Sequence, residues 1–303
     1  VAAGYYLVKF SNVIPGLHPA STPFVDSTIV FGAAKSDPTG ALTIYSYAKD
    51  GKVTDLLANS SFTDTLNPSL SPDLKKIAFM GVHNGKQEIV VMGIDGSGAK
   101  TVSQLFGPKT KPSWSPDGSK ILYSLSMQGA GVAEIDLVNN TDKVIPVGTD
   151  TIQAPSWLPD GSGFIYVALN VDQAAGKVLT HLKIYKNGVS QEVKLTVNKG
   201  TPIDDLSSPV VSPNGKRVAF VRSSDSRIYL ADLDGTNLKL LTSSGSSIFS
   251  CPSWSSDSSF VLATESTNDS KDYISKVDVS SGAVTRSGLS GYSKINCPKV
   301  ARY

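Results

Sequence analysis

Pro112-Ser113-Trp114-Ser115-Pro116-Asp117-Gly118-Ser119-Lys120-Ile121-Leu122-Tyr123 is the stretch on which the fold turns. It reads as a short strand, a tight turn and a second strand: proline presets φ, Asp117-Gly118 supplies the turn, and Ile121-Leu122-Tyr123 is β-rich. The unit returns as Pro155-Ser156-Trp157-Leu158-Pro159-Asp160-Gly161, ahead of Phe164-Ile165-Tyr166. Prolines at 68, 112, 155, 209, 252 and 298 open related segments, spaced 44, 43, 54, 43 and 46 residues apart. Only one interval is long, and a period of this size marks a repeat architecture.

A second, independent count comes from tight turns further along each unit: Asp50-Gly51, Asp95-Gly96, Asn139-Asn140, Asn187-Gly188, Asp234-Gly235 and Ser281-Gly282. These residue types tolerate the positive φ of a two-residue hairpin. Six such turns predict six four-stranded antiparallel units, each of which needs neighbours on both faces to bury itself. The expected fold is all-β, a six-bladed β-propeller, with a seven-bladed or incomplete ring as the lesser alternative. Trp114, Trp157 and Trp254 share one offset in their repeats, where Leu70 and Val211 or Val210 stand elsewhere. Interblade packing explains them better than ligand stacking.

Ser115-Pro116-Asp117-Gly118-Ser119-Lys120-Ile121-Leu122-Tyr123 and Ser212-Pro213-Asn214-Gly215-Lys216-Arg217-Val218-Ala219-Phe220 resemble the WD40-like, PD40-type repeat of TolB-like propellers. The resemblance runs over about residues 17–303. It implies blade geometry and hardly any chemistry, for the family includes periplasmic and secreted propellers as well as the non-catalytic propeller domains of prolyl-oligopeptidase-like peptidases.

The domain reading is an N-terminal extension over 1–16 with one extra strand, then a single propeller over 17–303. Asn296-Cys297-Pro298-Lys299-Val300 repeats the first-strand pattern, so it is expected to close the ring as the inner strand of the first blade. Tyr5, Tyr6, Leu7, Val8 and Phe10 form the extra β-rich run; it either pairs within its own subunit or adds to a neighbour's sheet edge by strand exchange. Cys251 and Cys297 each precede a first-strand proline, which leaves a disulfide and two buried thiols both open.

The net charge is +2 and the basic residues are scattered, which argues against nucleic acid as a partner. Apolar runs are strand-length, far short of the ~20 residues of a membrane-spanning helix. No signal peptide is visible in Val1-Ala2-Ala3-Gly4. Abundant Ser, Thr, Asn and Gly with 18% charged residues suggest an extracytoplasmic setting: periplasmic, cell-surface or secreted. His18, His83 and His181 lack zinc-ligand spacing, and no Gly-x-Ser-x-Gly elbow is present. No catalytic residue, metal or cofactor is therefore expected. Asp232-Leu233-Asp234-Gly235-Thr236-Asn237 resembles a calcium loop only superficially and coincides with a hairpin. Asn59, Asn139 and Asn268 open short glycan-acceptor triplets that decide little.

The clearest break in repetition is Asn170-Val171-Asp172-Gln173-Ala174-Ala175-Gly176-Lys177, which reads as a lengthened loop between the second and third strands of blade 4. It should share a face with Lys199-Gly200-Thr201-Pro202-Ile203-Asp204-Asp205, because the chain reverses at each strand. Asp172, Lys177, Asp204 and Asp205 are the binding-face candidates. The expected function is a non-enzymatic binding or scaffold module for a protein or peptide, acting through this face and the mouth of the central channel. A filament or surface-layer subunit built by self-association is the alternative, and a hydrolase or lyase with acidic residues around the channel is the third.

Overall fold

Each repeat folds as a sheet whose strands lie side by side in chain order, and consecutive first strands touch one another around an axis. The computed structural model describes residues 27–300 apart from 36–39, 41, 128–129, 149–150, 175, 198–200, 243–244 and 290–291. The strand expected from Tyr5 to Phe10 lies outside the described residues, as does His18. The described residues form six four-stranded antiparallel sheets and one small two-stranded hairpin, Thr196–Val197 with Thr201–Pro202. The fold is a six-bladed β-propeller.

The inner strands are Thr63–Leu70, Lys109–Trp114, Thr151–Trp157, Leu206–Val211 and Ile248–Trp254 in blades 2 to 6. Blade 1 takes Ile29–Lys35, Thr43–Tyr47 and Val53–Asp55 from one end of the chain and its inner strand, Tyr292–Val300, from the other. That strand pairs antiparallel with Ile29–Lys35, from Ile29↔Val300 to Lys35↔Tyr292, and closes the ring as the repeat pattern predicts. The register also identifies the position equivalent to the tryptophans. Trp114, Trp157 and Trp254 face Ile121, Phe164 and Val261 as Leu70 faces Ile77 and Val211, rather than Val210, faces Val218.

Second strands are apolar without alternation because a blade is covered on both sides. Successive side chains serve successive interfaces. Ile121 and Tyr123 pack with Ala78 and Ile89 of blade 2, while Leu122 packs with Phe164 and Tyr166 of blade 4. Repeating this around the ring gives six apolar clusters, one per interface, and the one joining blade 6 to blade 1 holds Leu262 and Ile274 against Ile29, Phe31 and Tyr45. Full burial of one such side chain is worth about 1.5–3 kcal/mol.

The repeat turn is held by its own side chains. Ser115 Oγ donates to Asp117 Oδ1 at 2.6 Å and accepts from the Lys120 N–H at 2.8 Å, while Asp117 Oδ1 accepts from the Ser119 N–H at 3.0 Å. Ser71 with Asp73, Ser212 with Asn214 and Ser255 with Asp257 repeat the pattern. The outer hairpins seat against the preceding blade: at Gly235, with φ 90°, a Cβ would overlap the Lys194 carbonyl.

Candidate binding surfaces on the two faces of the ring

Six residues meet at the axis, one from each inner strand: Asn67, Lys111, Ala154, Ser208, Cys251 and Cys297. Each immediately precedes a repeat proline and holds a left-handed backbone, with φ of 56°, 53°, 53°, 52°, 50° and 47°. At each of these points in blades 2 to 6 the ladder shifts register, a bulge that places the X-Pro step on the bore. Since all six blades pay this conformational cost, the strain belongs to the architecture and the choice of side chain is what individualises the ring.

Cys251 and Cys297 are joined in a disulfide with Cα atoms 4.8 Å apart. Packed sheets lie about 10 Å apart at their middles, so this spacing measures how far the inner strands converge. Beside it, Asn67 Nδ2 donates to Cys297 Sγ at 3.2 Å and to Asn296 Oδ1 at 3.1 Å. On the other side, Lys111 Nζ donates to Ser208 Oγ at 3.2 Å, reaching from blade 3 to blade 5 past the small Ala154 of blade 4.

These residues border a central cavity of about 510 Å³. Its mouth lies among the Ser-Pro-Asp-Gly turns, at Pro72, Leu74, Pro116, Pro159 and Pro213. All three tryptophans help wall it, and two also tie blades together: Trp114 Nε1 donates to the Ser69 carbonyl and Trp254 Nε1 to the Val210 carbonyl, both at 3.0 Å. Among the described residues, the lining includes Lys111 and Lys299 and no aspartate or glutamate. Burial lowers the pKa of Lys111, and burial followed by repulsion from Lys111 pushes Lys299 down to about 8. The acidic residues on which the third reading, a channel hydrolase or lyase, would rely are not among the described residues of this lining, which presents two amines. Among the described residues, carboxylates are engaged outside this lining, in strand turns and in pairs such as Glu88 with Lys109 and Glu265 with Arg286. Among the described residues, no group of three or more His, Cys, Asp or Glu is placed to hold a metal ion.

The opposite face carries the blade 4 irregularity. Asn170, Val171, Asp172 and Lys177 belong to a longer hairpin instead of the lengthened loop expected: Gly163–Asp172 and Lys177–Lys186 pair along their whole length, ending at Asp172↔Lys177. Val171 and Val178 continue the strand alternation and lie opposite one another, 67% and 58% exposed. The interblade segment does lie beside this hairpin, since the Thr180 N–H donates to the Asp204 carbonyl at 2.7 Å and Thr180 bridges to Asp205. Asp205 is itself engaged: Arg222 Nε donates to it at 2.9 Å and the Ser224 N–H at 3.0 Å, and its carboxyl is held low although burial opposes this. Asp172, Lys177 and Asp204 are partly or fully exposed on this face. Sequence reading passes over Val171 and Val178, which look like ordinary strand residues, and over Lys111 and Lys299, whose neighbours come from distant repeats. The signal available for Lys111 is its place before a repeat proline.

The family model of the TolB beta propeller domain (PD40) matches residues 23–174, half of the chain. The chain belongs to that family. No curated protein matches this TolB-like propeller. Among solved structures, it is similar to TolB from Acinetobacter baumannii, with 21% identity and a TM-score of 0.71 over 90% of this chain and 66% of that one. It is also similar to Kuenenia stuttgartiensis hydrazine synthase, with 16% identity and a TM-score of 0.74 over 92% of this chain and 47% of that one. A chain of a nidogen/laminin complex matches at 10% identity and a TM-score of 0.63, over 91% of this propeller and 100% of its own length. The TolB-like propeller thus spans less than two thirds of the first two. At these identities the likeness is one of fold, and a fold shared by binding proteins and enzymes does not select a function.

Proposed function

We propose that this TolB-like propeller is a non-enzymatic module that binds a protein or peptide outside the cytoplasm, through the hairpin face of blade 4. The observation that carries this reading is the exposed Val171–Val178 pair on a paired, ten-residue-per-strand hairpin. Apolar side chains held out on a rigid element favour association because little ordering entropy is lost when they are covered. Asp172, Lys177 and Asp204 would form the polar rim around this pair, as in a typical interface. The charge-poor, Ser- and Thr-rich composition and the family's periplasmic members support the location.

Affinity capture from the native source tests the reading. Val171→Asp combined with Val178→Asp should cost roughly tenfold or more in affinity for the captured partner. Lys177→Ala and Asp204→Ala should cost less. Capture undiminished by all four substitutions would remove this face from consideration, and polymers seen by electron microscopy would favour the filament subunit instead.

A further inference from the structure

The central cavity lies at the other end of the ring from that hairpin and is not needed for the reading above. Propeller bores can be filled by small side chains, and five of the six ring positions here follow that pattern or are tied to one another through the disulfide and Asn67. The lysines do not fit it. Lys111 spans the bore to a serine hydroxyl, and the Lys299 ammonium makes no hydrogen bond or ion pair with any described residue. Two like charges facing one cavity, with no carboxylate in its lining, are costly unless something else neutralises them.

We propose that Lys111 and Lys299 form an anion site on the propeller axis, and that the group it takes is a carboxylate. The walls decide between anions. Proline rings and indoles supply apolar area and few donors, which suits a carboxylate attached to a carbon skeleton. An inorganic phosphate carries no carbon skeleton and would leave that apolar wall uncovered. The cavity volume lies within the range usual for small-molecule sites and also admits a peptide side chain. The carboxylate has two possible sources, a free small acid or an acidic residue of an inserted peptide.

The site is pH-sensitive in a definite direction. The ionisable side chains in the lining are Lys111 and Lys299, the two cysteines being bonded. The charge of Lys299 is lost as pH rises past about 8, well below the ordinary lysine range. Binding should weaken over that interval.

All three tryptophans of the chain line the cavity, so intrinsic fluorescence reports its occupancy. The probes are glutarate, blocked tetraglutamate, blocked tetraglutamine and inorganic phosphate, titrated into the intact protein at neutral pH and near pH 9.5. Saturable binding of glutarate or tetraglutamate is expected, weakened roughly tenfold at the higher pH and by Lys299→Met, the worth of one charge-assisted contact. Lys111→Met should act in the same direction. Glutarate binding alone assigns the site to a small acid, and tetraglutamate binding alone to a peptide. Equal binding of tetraglutamine, or phosphate binding as tight as that of either acid, would overturn the assignment, as would no binding by any probe. Thermal melting keeps the outcome readable: lysines that merely support the fold would lower the melting temperature when replaced, whereas removal of an uncompensated charge should raise it.

Discussion

Lys299 illustrates how a single residue can work against the fold it belongs to. In the unfolded chain its amine has an ordinary value near 10.5, and in the bore it falls to about 8. Between those values the unfolded chain binds more protons, so stability contributed by this residue rises with pH across that window and is lowest below it. Lys299→Met should therefore be more stable than the parent at neutral pH. The gap, measured by urea unfolding at steps from pH 7 to about 10.5, should close as the parent's amine loses its proton; a constant gap would contradict the burial argument. Little of this is legible in the sequence. The prolines announce the inner strands, but the residue before each proline matters only because six strands converge, and Lys111 and Lys299 are 188 positions apart along the chain.

At the scale of the element, the Ser-Pro-Asp-Gly turn is legible because its chemistry is local: hydroxyl, carboxylate and N–H groups within six residues satisfy one another. The hydrogen bonds from Ser115 and from Ser119 hold the Asp117 carboxyl down to about 2. Its contribution is whole above the ordinary carboxylate value and disappears as pH falls toward 2. Ser115→Ala should cost about 1 kcal/mol at neutral pH and shift the acid-unfolding midpoint, followed by circular dichroism, to higher pH. Blade 4, with Leu158 in place of the serine, keeps the turn through the Gly161 N–H to the Leu158 carbonyl at 2.9 Å, so the hydroxyl tunes stability and does not dictate shape. The blade 4 hairpin is less legible in the sequence. Asn, Asp and Gly in residues 170–177 signal a loop, yet Val171 and Val178 keep the two-residue period going, and cross-strand pairing outweighs the local turn preference.

The ring as a whole depends on one seam, where blade 1 is assembled from both ends of the chain. Periodicity makes that seam readable; the bond that ties its closing strand to blade 6, from Cys297 to Cys251, is not legible in the sequence, because it rests on how closely two inner strands approach the axis. The disulfide encloses a separation of 46 residues, and replacing both cysteines by serine should lower unfolding stability by roughly 2–4 kcal/mol. The ring should still close, since the ladder between Ile29–Lys35 and Tyr292–Val300 remains. Unchanged stability in the double variant would assign closure to the ladder alone. The seam also sets an order of events during synthesis. The first blade leaves the ribosome lacking its inner strand, and that strand is made only after every other blade. Until then the nascent chain carries a bare sheet edge matched to its own sequence and to that of every sister chain, so crowded production favours domain-swapped dimers, each ring sealed by the other's final strand.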